Sequence, residues 1–170
     1  AGLPPYNGTF LVHPASGLAM LDAFTFLANN FKDESRLLNT SSTQLADDTL
    51  PDTLPLKYEF RYSLEDGNEI TFRNSRARQN NVTTWLPIGY GNTYGLPVAV
   101  IVSDIVGSTT RVNNSVVVEP PDIDVAVKNV SDRVDTITTL AAVGRVQFAI
   151  NLLFSASEVL NFVFNHSTRT

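Results

Sequence analysis

The chain holds two histidines, His13 and His166, and no cysteine. A histidine-based triad or a metal site needs such side chains clustered with carboxylates or thiolates. His13 falls where a strand runs into a turn and His166 lies in the C-terminal tail, so neither arrangement is expected. Ser103-Asp104 reads as the opening of a turn rather than as a nucleophile beside its partner. The acidic candidates are Asp47-Asp48, Asp66-Gly67-Asn68-Glu69, Asp122 and Asp124. Alternating carboxylates could offer oxygen ligands to calcium at a module junction, but no EF-hand loop pattern is present and solvated turns are the simpler reading. No catalytic residues, no metal and no cofactor are expected.

Arg73, Arg76 and Arg78 form the one basic cluster. Their planar guanidinium forks suit carboxylated or sulfated glycan, and the plainer reading is a solvated loop. Trp85, close to Asn81, could pack against a glycan but is expected to be core or edge-of-core. Six Asn-x-Ser/Thr triplets begin at Asn7, Asn39, Asn81, Asn113, Asn129 and Asn165. That is about twice the number its Asn, Ser and Thr content gives by chance, which suggests an N-glycosylated extracellular chain. A net charge of −5 excludes nucleic acid and anionic membrane as partners, because binding phosphate needs a basic footprint. The chain has neither a signal-peptide pattern nor an unbroken run of apolar residues long enough to span a bilayer, so it reads as a mature or excised soluble piece without direct membrane insertion.

The elements that position these residues are mainly β. In Leu56-Lys57-Tyr58-Glu59-Phe60-Arg61-Tyr62-Ser63-Leu64 the apolar and polar side chains alternate, the mark of a half-buried antiparallel strand. Gly8 to Ala19 predicts a strand with a turn at Pro14-Ala15-Ser16-Gly17, and Ala23 to Ala28 a second strand. Lys32 to Pro55 is a long polar loop. Glu65-Asp66-Gly67-Asn68 is a hairpin signal, with Ile70 and Phe72 resuming the alternation on the return strand. Arg73 to Asn80 reads as another loop and Thr83 to Leu86 as a short strand. Leu96 to Ser103 is a β-branched central strand that turns back at Asp104-Ile105-Val106-Gly107 into Thr109 to Glu119.

After Pro120-Pro121 the period changes. A strand is expected at Ile123 to Val127. Val130, Val134, Ile137 and Ala141 then recur at helical spacing, with Ser131 as cap ahead of Asp132. Gly144 separates a second helix, Arg145 to Phe162, in which Gln147, Asn151, Ser155 and Glu158 form only a narrow polar stripe. So apolar a helix must be covered on more than one side, by the sheet or by a neighbour. Its candidate interaction residues are Phe148, Leu152, Leu153, Phe154, Val159 and Phe162, beside Arg73, Arg76 and Arg78.

The order of these segments resembles the receptor for egg jelly module of sperm receptors and polycystin-like proteins. The resemblance rests on Pro4-Pro5-Tyr6-Asn7-Gly8-Thr9, Val12 to Ala19, Phe24 to Asp33, Leu54 to Phe60, Leu86-Pro87, Val98 to Gly107, Val116 to Pro121 and the trailing helices to Leu160-Asn161. It spans roughly Leu3 to Phe162. The family often carries cysteines near Phe10 and Ala28 that look like a bridging pair. Both are absent here, and Ser35 to Thr53 is an insertion. The resemblance implies an extracellular, non-enzymatic, β-sandwich-like module of a larger adhesive assembly.

Taken together, the expectation is an immunoglobulin-like or fibronectin-like antiparallel β-sandwich with a C-terminal pair of helices. Residues 1–121 form the body, 122–164 a short strand with two helices, and 165–170 a tail. The expected function is structural or adhesive: the module joins other copies or neighbouring modules, head to tail in a filament, and carries N-glycans. The alternative is a ligand- or glycan-binding ectodomain of an egg-jelly-receptor-like or polycystin-like membrane protein.

Overall fold

The computed structural model of the chain describes residues 3–33, 56–73 and 78–167. Their elements, in chain order, are β1 (Thr9–His13), β2 (Ser16–Leu18), β3 (Phe24–Asn29), β4 (Lys57–Ser63), β5 (Glu69–Arg73), β6 (Asn81–Thr84), β7 (Gly95–Ser103), β8 (Thr109–Glu119), α1 (Ile123–Ala142) and α2 (Val146–Ser167). The strands form two sheets, one ordered β1-β3-β6 and the other β2-β8-β7-β4-β5. Every pairing is antiparallel except the short β2–β8 pair. This is the expected sandwich with its two C-terminal helices.

Alternation decides which side of each strand turns inward. On β4, Phe60 and Tyr62 are buried while Lys57 is exposed. Its neighbour β7 places Val100 opposite Phe60 and Val98 opposite Tyr62, so both strands send their apolar sets to one face. Phe10, Phe26, Phe60 and Phe72 meet between the sheets, with ring centroids 4.8 Å apart for Phe26–Phe72 and 6.1 Å for Phe10–Phe26 and Phe26–Phe60. These stacked and edge-on contacts add to the burial that holds the sheets together. The hairpin turn is closed locally: Asp66 accepts hydrogen bonds from the Asn68 backbone N–H (2.9 Å) and side-chain amide (2.7 Å), and Gly67 takes the left-handed φ of 85°. At the β7–β8 turn, Asp104 is buried and its carboxylate accepts the N–H groups of Val106 (2.9 Å) and Ser108 (2.8 Å). Ser103-Asp104 is therefore a turn, as read from the sequence.

The segment Ile123 to Val127 is not a strand. It is the first turn and a half of α1, which begins after Asp122 and runs unbroken to Ala142, placing Ser131 in mid-helix rather than at its cap. The alternation of Ile123, Val125 and Val127 imitates a strand. The face that packs, however, is Ile123, Ala126 and Val130, spaced three and four apart, with Ala126 buried in the common core. Tertiary burial overrides the β preference of these branched side chains. The helix stops at Gly144 in a Schellman arrangement: Arg145 N–H reaches the Leu140 carbonyl (2.8 Å) and Gly144 N–H that of Ala141 (3.1 Å), with Gly144 at φ 80°.

By length and composition, Val146–His166 is a helix that could cross a bilayer, with a mean hydropathy of 1.4 over its most apolar window. It contains no unbroken apolar run of that length, because Gln147, Asn151, Ser155 and Glu158 interrupt the sequence without lowering the average enough. Here α2 lies against the sandwich. Ala156, Val159 and Val163 belong to the same core as the sheets, and Asn151 Nδ2 donates to the Thr71 carbonyl of the edge strand β5 at 2.8 Å.

Candidate interaction surfaces

The two sides of α2 differ in kind. Inward are Ala149, Asn151, Leu152, Ser155, Ala156, Val159 and Val163, all buried. Outward, Val146, Ile150, Leu153 and Phe164 are each more than half exposed, and Phe154 is 38% exposed. On α1, Val127 (46%) and Val134 (51%) are open as well. Isolated exposed aliphatics are ordinary, but a helical stripe of them is the signature of a surface that meets something apolar.

The interaction set expected from the sequence divides along the same line. Leu153 and Phe154 are outward. Leu152 and Val159 are buried on the inward arc, Val159 within the core shared with the sheets, and they offer nothing to a partner. Phe162 is half-buried, edge-on to Tyr94 and stacked on His166 at 4.1 Å. Phe148 is also half-buried. Ile150 and Phe164 were missed as surface residues. The signal lay in the spacing of Val146, Ile150, Leu153, Ser157 and Phe164, which places them on one helical stripe. Arg78 is exposed, whereas the side chain of Arg73 and all of Arg76 lie outside the described residues.

Charge on the larger sheet's outer face is mutually engaged. Arg61 bridges Glu59 and Glu69, the latter at 3.0 Å, and Arg111 donates to Glu69 through Nη1 at 3.1 Å. Hydrogen bonds from Arg111 and then Arg61 hold the Glu69 carboxyl at about 2, below its ordinary value of 4.5. Beside this network a cleft of about 970 Å³ opens between β5, β6 and the loop joining the helices. Its lining includes Glu59, Arg61, Glu69, Thr71, Asn81, Thr83, Arg145 and Phe148.

Of the sequon residues, Asn7, Asn81, Asn113 and Asn165 are exposed; Asn39 lies outside the described residues. Asn129 is different: its side-chain amide nitrogen, where a glycan would attach, is buried on α1. Trp85 is half-buried and packs against the core, and Arg133 lies 3.9 Å over its ring. That ring face is therefore taken by a cation rather than open to sugar. Among the described residues no group of His, Cys, Asp and Glu is arranged to hold a metal ion.

The REJ domain family matches residues 2–155. This chain belongs to that family. The match ends inside α2, short of the Phe162 expected from segment order. As a REJ domain it is an extracellular, non-enzymatic module of adhesive or ligand-binding type. The REJ domain also has likenesses among solved structures. One is to a structure described in work on carbohydrate-binding modules of the β-sandwich superfamily, at 19% identity and TM-score 0.43, covering 72% of this chain and 38% of that one. Another is to the PKD1 domain of Vibrio anguillarum Epp, at 12% identity and TM-score 0.35, covering 71% of this chain and 100% of that one. A comparison with curated proteins finds no match. In this REJ domain Phe10 and Ala28, the positions near which the family resemblance implies a bridging pair, are direct register partners across β1 and β3. Both are buried, and a large and a small apolar side chain fill the space between them.

Proposed function

We propose that this module is a structural and adhesive glycoprotein unit that joins neighbouring copies or modules through the outward stripe of α2. One observation carries the reading: Val146, Ile150, Leu153, Phe154 and Phe164 lie open on a helix whose other side is fully used by the core. A second copy or adjoining module covering that stripe would remove apolar surface from water, and a contact that repeats without closing extends head to tail. The polar neighbours of the stripe are Gln147, Ser157, Glu158, Asn161 and Asn165, of which only Glu158 is charged.

The test is the double variant Leu153→Glu, Phe154→Glu, followed by thermal denaturation and by electron microscopy of the assembled material. Retained melting behaviour with loss of association supports the proposal, and association equal to wild type overturns it. A second reading, a ligand- or glycan-binding ectodomain of a membrane receptor, is favoured by the cleft beside β5 and β6. It is discriminated by ligand binding that survives in the same double variant.

A further inference from the structure

All three residues of the sequon Asn81-Val82-Thr83 line the cleft between β5, β6 and the helix-joining loop. Asn81 is exposed and opens β6, which is an edge strand of the smaller sheet. The size of the cleft, about 970 Å³, lies near the top of the range of about 300–1,000 Å³ that holds small ligands. Its two carboxylates, Glu59 and Glu69, are matched by two guanidiniums, Arg61 and Arg145. Arg61 is already engaged by both carboxylates, so the walls suit a neutral ligand rather than an anion. Thr71, Thr83 and Gln147 add neutral hydroxyl and amide groups, and the half-buried ring of Phe148 supplies an apolar platform. Hydroxyl-rich rings with one apolar C–H face match that combination of hydrogen-bonding groups and aromatic surface.

We propose that the N-glycan carried by Asn81 folds back into this cleft, its first N-acetylglucosamine units lying across Phe148 between the β5 and β6 edges. Attachment uses a lipid-linked oligosaccharide diphosphate donor: the bond from sugar C1 to the diphosphate breaks, C1 bonds to Asn81 Nδ2, and the amide nitrogen gives up one proton. The chain's part is to hold the attached sugar. A glycan in that position covers the outer edge of β6, closes it to strand addition, and meets α2 only in its first turn, leaving Ile150, Leu153, Phe154 and Phe164 as the joining surface. This rests on the reading of the module as a glycoprotein. The other exposed sequons serve as internal controls, because Asn113 on β8 and Asn165 near the end of α2 do not line the cleft.

The full chain, produced in glycosylating eukaryotic cells, is to be mapped by glycopeptide mass spectrometry and then treated with an endoglycosidase while folded. The Asn81 glycan is expected to be occupied and to be released about tenfold more slowly than the Asn113 glycan, with equal rates after denaturation, as for a group shielded until local opening. Phe148→Ala should bring the Asn81 rate up to that of Asn113. Should that variant lose its fold by circular dichroism, the exposed Gln147→Ala gives the same reading. Equal rates on the folded wild type, or an empty Asn81 beside an occupied Asn113, overturn the inference while leaving the glycoprotein reading intact. Empty sequons throughout overturn both.

Discussion

Leu152 and Leu153 are chemically identical neighbours on α2, yet the first is 1% exposed and the second 58%. The same division runs along the helix. Its inner arc is small or branched and carries the polar pair Asn151 and Ser155, each with a bond to a backbone carbonyl; its outer arc is largely aliphatic and aromatic surface. Polar residues usually mark the wet side of a helix. Here Asn151 lies on the dry side because the edge strand β5 offers the Thr71 carbonyl to its amide, and Ser155 because its hydroxyl bonds back to the Asn151 carbonyl one turn earlier. Composition alone therefore misleads about which face is which, and the contrast assigns stability to one arc and assembly to the other.

The largest break in that contrast should come from the leucine pair. Leu152→Ala is expected to cost roughly 2–5 kcal/mol by emptying a packed site. Leu153→Ala should change the folding free energy by less than about 0.5 kcal/mol. Urea denaturation of both variants checks this, and equal losses would erase the distinction between the arcs. Asn151→Ala comes next, at about 1–3 kcal/mol, since it strands the Thr71 carbonyl and the partner amide of Gln147, which lies 3.1 Å from Asn151 Oδ1.

Glu69→Gln tests the strand that carries the Asn151 contact, because Glu69 ties β5 to Arg61 on β4 and to Arg111 on β8. The expected loss at neutral pH is roughly 1 kcal/mol, reduced by added salt. The folded carboxyl is held at about 2, below its ordinary 4.5, so the contribution is whole above pH 4.5 and is lost as pH falls toward 2. The difference between wild type and variant should close across that window in denaturation curves taken at several pH values. The smallest effect is expected at Arg133→Ala, about 0.5–1 kcal/mol from the lost contact with the Trp85 ring, seen as a small drop in melting temperature.

Local pattern made much of the body legible. The bounds of β8 are those read from Thr109 to Glu119, and β4 follows from its alternation almost to the residue. Both strands carry one buried and one wetter face, and turn residues bound them on each side. The start of α1 was hidden because Ile123, Val125 and Val127 show strand alternation, while the burial that makes them helical comes from the distant sheets. Strand order was likewise not legible: β6 pairs with β3 and not with β5, its predecessor in the chain, a long-range choice that no local residue announces. The cleft was invisible for the same reason, being assembled from residues on β4, β5, β6 and the loop between the helices. Its one sequence trace was the triplet at Asn81. The loop from Lys32 to Pro55 falls almost entirely outside the described residues, as does the Ser35 to Thr53 insertion.

The most direct test is sedimentation velocity over a concentration series, comparing wild type with Leu153→Glu, Phe154→Glu under conditions where both are folded by circular dichroism. If the outer arc of α2 is the joining surface, wild type shows species that grow with concentration while the double variant stays monomeric with an unchanged melting temperature. A wild type that remains monomeric, or a variant that associates as strongly as wild type, contradicts the assignment of assembly to that face.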